Sequence, residues 1–235
     1  MRNINVRLVG ALTTSVACLA LALAAPPAQA RPNNSSTPGP VSMACRHAAS
    51  SVDAPAPVDS VIQQGAPAPN FSATRLDCGQ TTMKQLANGK VTFINFFASW
   101  CKYCILEAND LTAFYNKYHS KGLNGIGVDT ADDPKGDPSL FYAKYHFPFV
   151  SVWDAANESG NDPIWEAYAT QPGVACIPTT IWLHKDGTIS SAYVGQMTPA
   201  VMLQNFTWAQ KTQDELNNDT AYLAQQAQTS KCVPV

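Results

Sequence analysis

Two cysteines stand three residues apart in Trp100-Cys101-Lys102-Tyr103-Cys104, a spacing that suits reversible disulfide chemistry. If a helix begins here, Cys101 lies at its amide end, where unpaired N–H groups and the helix dipole favour a thiolate. Cys104, one turn on, can close a disulfide with it. Cys101 is therefore the expected nucleophile, its sulfur exposed. Cys104 is the expected resolving cysteine, which attacks the mixed disulfide and releases the product. Lys102 places a positive charge beside the nucleophile and should lower its pKa further. Glu107 follows Cys104 by three residues, so its carboxylate should point inward along the same helical stripe. Burial would raise its pKa and suit it to carry the proton that Cys104 must lose. The alternative is an exposed first-turn glutamate that offsets the helix dipole.

The same C-x-x-C spacing makes half a zinc site. Downstream there is neither a second C-x-x-C nor a histidine pair at zinc-finger spacing, so no metal and no other cofactor is expected. The histidines His47, His119, His146 and His184 lie far from the pair in sequence and receive no role.

A reactive pair of this kind needs a strand-to-helix junction, and the flanking sequence predicts one. Residues 90–98 are β-branched and aromatic on both faces, as in a central strand covered on both sides. From Lys102 to about His119 the period becomes helical, with Cys104, Ala108, Leu111, Tyr115 and Tyr118 along one face. A second strand at 125–129 and a helix over 138–145 continue a β-α-β-α alternation, the pattern of a parallel crossover. Further on, 179–184 and 188–194 flank Lys185-Asp186-Gly187 as an antiparallel hairpin, and a helix spans 199–209. Before the central strand come a short strand from Phe71, turns at Asp77-Cys78-Gly79 and Asn88-Gly89, and a segment from Thr82 to Leu86.

The amino terminus predicts export. Arg2 and Arg7 precede an uncharged apolar stretch from Leu8 to Ala25, and Ala28-Gln29-Ala30 forms a small-x-small cleavage site. Residues 1–30 therefore read as a signal peptide, and the mature protein as periplasmic, extracytoplasmic or secreted. A retained membrane anchor is the alternative, because the stretch approaches the length of a short spanning helix. Residues 31–67 are rich in Pro, Ala, Ser and Asn and read as an extended, weakly ordered segment. A folded domain is expected over 68–209, and a polar, Gln-rich helical tail over 210–235. A net charge of -2 and a pI near 6.0 leave no basic stripe for nucleic acid. Of seven cysteines, Cys18 falls in the expected signal segment; Cys45, Cys78, Cys176 and Cys232 join the reactive pair to give the mature chain an even count, as suits an oxidising compartment. They allow three pairings; a staple between the tail residues Cys45 and Cys232 would leave Cys78 with Cys176.

Phe96-Phe97-Ala98-Ser99-Trp100-Cys101-Lys102-Tyr103-Cys104, Ala175-Cys176-Ile177-Pro178-Thr179-Thr180 and Lys185-Asp186-Gly187 occur in this order within one domain. Together they resemble the TlpA-like and ResA-like branch of the thioredoxin superfamily, from about Ala68 to Ala209. The resemblance implies an α/β, thioredoxin-like fold with a central mixed β-sheet flanked by helices. It implies that Pro178 is cis and faces the cysteine pair, and that the backbone of Ile177 pairs with an extended substrate chain. Trp100 is counted with these two as substrate-binding, shielding the disulfide while packing into the core. Glu107 matches a family glutamate, whereas Asn109 replaces a common proline and Lys102-Tyr103 replaces a proline-containing pair. Cys176 is a further departure, read as either half of a structural bridge or a third redox thiol.

The activity implied is thiol-disulfide exchange with exported protein thiols or disulfides, together with a redox partner protein. Four further cysteines and Lys102 favour an oxidase; likeness to anchored cytochrome-maturation proteins favours a reductase. A peroxiredoxin-type peroxidase is the nearest alternative, although Ala98 stands where its threonine would be. A copper-binding protein would prefer a longer cysteine spacing with a distal histidine. A non-catalytic thioredoxin-like binding module would not need both cysteines.

Overall fold

The computed structural model describes residues 50–53, 63–130, 138–155, 162–168 and 176–229. The chain divides into two units, and all described residues belong to the second, Thr37–Val235. The expected signal segment, Cys45, His47 and Cys232 lie outside them. Strands β1 (Ser51–Val52), β2 (Phe71–Thr74) and β3 (Gln80–Thr82) form a small antiparallel sheet in that order. β1 lies within the stretch read from sequence as extended leader. Helix α1 (Met83–Ala87) begins at Thr82, whose hydroxyl accepts from the Gln85 N–H while the Gln85 side chain accepts from the Thr82 N–H.

Strand β4 (Val91–Phe97) is buried at every residue, as expected of a strand covered on both faces. Helix α2 (Lys102–Tyr118) follows it, and β5 (Leu123–Asp129) returns parallel to β4. The Phe93 ring lies over its register partner Gly125, which carries no side chain to displace it. A Cβ there would lie 2.4 Å from Cζ of Phe93. After α3 (Pro138–Tyr145), β6 (Val150–Trp153) extends the parallel set. Helix α4 (Pro163–Tyr168) precedes the hairpin of β7 (Thr179–Leu183) and β8 (Ile189–Val194). β7 runs antiparallel to β4, so the five-stranded sheet is mixed, in the order β6-β5-β4-β7-β8. Helices α5 (Pro199–Trp208), α6 (Gln213–Asn217) and α7 (Thr220–Thr229) complete the chain. This is the α/β thioredoxin-like architecture that the sequence resemblance implied. β6 and α4 had no counterpart in the sequence reading, being four and six residues long and too short to display a period.

Alternation along β4 sends its side chains to two cores. Val91, Phe93 and Phe97 join Cys104, Leu111 and Phe114 of α2 in one cluster. Ile94 and Phe96 join Phe71, Val128, Trp165 and Tyr168 in the other. The sheet's outer strands both have neighbours. At β6, Arg75 bridges Val152 and the Leu76 N–H donates to the Ser151 carbonyl. At β8, α7 packs and the Tyr222 hydroxyl donates to the Ser190 carbonyl. Such contacts protect exposed strand edges from pairing with other chains. The carboxyl-terminal helices are accordingly not polar all round, since Leu216 and Tyr222 are buried against Trp208.

Candidate active site

Cys101 is the N-cap of α2, and the Cys104 N–H donates to its Sγ across 3.1 Å. The two sulfurs form a disulfide with a Cα–Cα separation of 5.2 Å. The amide end of α2 therefore directs an N–H onto the Cys101 Sγ. The exposure expected of Cys101 is not found: the residue is 4% exposed and Cys104 2%. The carbonyl oxygen of Ile177 lies 3.6 Å from the Cys101 Sγ, and both cysteines pack within the α2-side core. A position at a helix end does not by itself expose a side chain when a neighbouring loop packs over it.

The Ile177–Pro178 peptide bond is cis, and Pro178 leads directly into β7. Ile177 packs against both core clusters. The structure thus brings Cys101, Cys104 and Ile177 together. Trp100 is placed differently from the core position expected, with 49% of its surface exposed. Lys102 is also exposed, its Nζ lying 5.8 Å from the ring centroid of Tyr103. Cys176 is buried and disulfide-bonded, so it is not a third free thiol in this state; Cys78 is disulfide-bonded too. His184 is buried, with Nδ1 3.1 Å from the Ala209 carbonyl, well within the fold's own packing.

Glu107 is 1% exposed and lies one helical turn beyond Cys104. This removes the reading of Glu107 as an exposed, dipole-offsetting residue. Its Oε1 accepts from Asn95 Nδ2 at 2.8 Å and its Oε2 from the Met197 N–H at 2.9 Å. Burial raises its pKa from 4.5 to about 7; the Met197 and Asn95 bonds oppose the rise, and Asp110 adds to it. Asn95 Nδ2 also donates to Thr180 Oγ1 at 2.9 Å. Sequence reasoning did not single out Asn95, Thr180 or Met197. Asn95 had a visible signal, being an amide side chain in the middle of the largely apolar run 91–98. The Met197 contribution had none, because a backbone N–H is independent of residue type. Among the described residues, no cluster of three or more His, Cys, Asp or Glu side chains is placed to hold a metal ion.

A profile of the Redoxin family matches residues 63–207. The chain is 31% identical over 137 residues to a thiol-disulfide oxidoreductase ResA of Bacillus cereus, covering 58% of this chain and 73% of that protein. It is 27% identical to ResA of Geobacillus thermodenitrificans over 139 residues, 59% of this chain and 74% of the relative. Among solved structures, a thiol:disulfide interchange protein of the thioredoxin family from Chlorobium tepidum TLS superposes with a TM-score of 0.52 at 21% identity. That match covers 64% of this chain and 99% of the other. A structure described as a protein disulfide isomerase from Bacteroides thetaiotaomicron gives a TM-score of 0.55 at 22% identity, covering 68% and 98%. Both structural likenesses speak for the fold.

Proposed function

From the premise that this chain belongs to the Redoxin family, as a ResA-like thiol-disulfide oxidoreductase of the thioredoxin superfamily, we propose a division of labour among its site residues. In the reduced enzyme the Cys101 thiolate attacks a client disulfide, forming a mixed disulfide and releasing one client thiolate. Cys104 passes its proton to the Glu107 carboxylate and attacks the Cys101 Sγ. The second client thiol leaves, and two electrons have moved to the client as the Cys101–Cys104 disulfide closes. Run backwards, the same steps oxidise a client dithiol. Ile177 supplies backbone at which an extended client pairs, Pro178 sets that backbone beside Cys101, and Trp100 offers an exposed aromatic face to the client. The observation that carries this reading is the disulfide at the amide end of α2, with the Cys104 N–H on the Cys101 Sγ.

The clients proposed are exported protein thiols or disulfides, with a second redox protein to restore the starting state. Export is supported by Arg2, Arg7, the apolar stretch 8–25 and the Ala28-Gln29-Ala30 site. One preparation tests both proposals. Full-length Cys104→Ser, expressed with its leader and reduced, is mixed with a disulfide-bonded protein and analysed by mass spectrometry without reductant. The expected product is a stable mixed disulfide at Cys101 on a chain that begins at Arg31. An adduct at another cysteine, or none, would overturn the assignment of the nucleophile, and an intact leader would overturn export with cleavage.

A further inference from the structure

The large apolar side chains left exposed among the described residues are unevenly distributed. Trp100, Tyr103, Ile105, Leu106 and Leu140 are among them, against Leu203 and Leu223 elsewhere. Four of the first group fall within five residues of Cys101 in sequence. Helix α2 buries its other face through Cys104, Ala108 and Leu111, so these side chains cannot also reach that core. Leu140, at 64% exposed, stands on α3. It shares with Ile105 a shallow cleft of about 220 Å³, whose other lining residues are Ser99, Phe141, Lys144 and Tyr145.

We propose that this cleft between the start of α2 and the outer face of α3 is a docking subsite for client polypeptide. It takes one large apolar or aromatic side chain carried close to the client's reacting cysteine. Three observations favour that occupant. Two of its walls adjoin the cysteine pair in the chain: Ser99 and Ile105 bracket Cys101 and Cys104, and the Ile105 N–H donates to the Cys101 carbonyl in the first turn of α2. Its volume falls below the roughly 300 Å³ at which drug-sized ligand pockets begin and suits a single side chain. Its walls are mainly apolar, and exposed apolar surface of this kind marks interaction sites. Lys144 is the charged lining residue, with its Nζ 5.1 Å from the Tyr145 ring centroid, so an acidic residue beside the apolar anchor complements the rim. None of the lining residues belongs to the Ile177–Pro178 segment. The subsite therefore adds selectivity by side chain to the backbone pairing proposed there.

This inference rests on thiol exchange at Cys101, and the experiment separates the two. Full-length oxidised enzyme is reacted with nine-residue Gly/Ser peptides that carry one central cysteine. Phe or Ser is placed at each position two to four residues to either side, and dithiothreitol serves as a small thiol with no side chain to dock. The best-placed Phe peptide should react about tenfold faster than its Ser counterpart, the gain expected from partial burial of an aromatic side chain. Leu140→Gln should reduce that ratio to about twofold or less. Leu203→Gln, at another exposed leucine on α5 outside the cleft, should retain it. Lys144→Glu should turn a preference for Asp beside the Phe into one for Lys. Absence of a Phe preference at every position, or its survival in Leu140→Gln, overturns the subsite. Failure of the wild-type enzyme to react with dithiothreitol overturns the exchange reading instead.

Discussion

At the scale of single residues, Glu107 shows how burial tunes a carboxyl group, here the one proposed to carry the Cys104 proton. Both carboxylate oxygens accept hydrogen bonds, which favour the ionised form, yet desolvation outweighs them and leaves the pKa at about 7. A carboxyl group poised near neutrality can take a proton from Cys104 and return it within one cycle. In Glu107→Gln the attack of Cys104 on the mixed disulfide should slow by about 100-fold at pH 7. The inflection near pH 7 should also vanish from that step. Rapid acid quenching, followed by quantification of the mixed disulfide across pH 5–9, measures both. A glutamine variant with the wild-type profile would remove Glu107 from the chemistry.

At the scale of elements, Glu107 is held by three segments at once: α2 carries it, β4 supplies Asn95, and the backbone at Met197 precedes α5. The period of two along β4 makes this possible. Asn95 shares a face with Phe93 and Phe97, the face that α2 covers, while Ile94 and Phe96 turn to the opposite core. Because donation from Asn95 stabilises the carboxylate, Asn95→Ala should move the Glu107 titration to higher pH. The midpoint of the resolving step should rise with it, read from the same quench experiment. The variant should also lose roughly 1–3 kcal/mol of stability, because Glu107 and Thr180 each lose a buried partner. Loss of stability with an unmoved midpoint would reduce Asn95 to a packing role.

Across the whole molecule, two buried acids set how stability depends on pH. Asp154 is raised from 3.8 to about 7 by burial, with Asp162 and Glu166 adding to the rise and the Trp165 and Ile164 N–H bonds opposing it. Its carboxylate accepts from those two N–H groups at the start of α4, at 2.6 and 3.0 Å. A pKa raised in the folded state means that the native chain keeps a proton the unfolded chain has lost. For Asp154 and Glu107 together, that stabilisation is complete below about pH 4 and disappears as pH rises through about 7. Asp219, lowered to about 2 chiefly by Lys211, acts in the opposite sense and only below about pH 4. Denaturant unfolding of the oxidised protein should therefore give a higher midpoint at pH 5 than at pH 8. The difference should shrink in the Glu107→Gln, Asp154→Asn double variant. Equal midpoints in the wild-type protein would contradict the sign.

The reactive pair, its strand-to-helix junction, the hairpin after Pro178 and the longer elements were all legible in the chain. Each is written in local periodicity, turn residues and a short motif. Helical spacing after Cys104 gave an inward Glu107, and the resemblance carried by three ordered motifs added a mixed sheet and a cis Pro178. What tertiary structure alone decided lies between distant segments. The loop at Ile177 covers Cys101, α4 and β6 complete the layers, and Leu216 and Tyr222 bind the last helices to the fold. Asn95 and a backbone N–H at Met197 converge on one carboxylate. Trp100 remains outside while Cys101 beside it is buried. Periodicity reports which face of an element is apolar, but exposure and pKa depend on what packs against that face, and those partners lie up to 90 residues away.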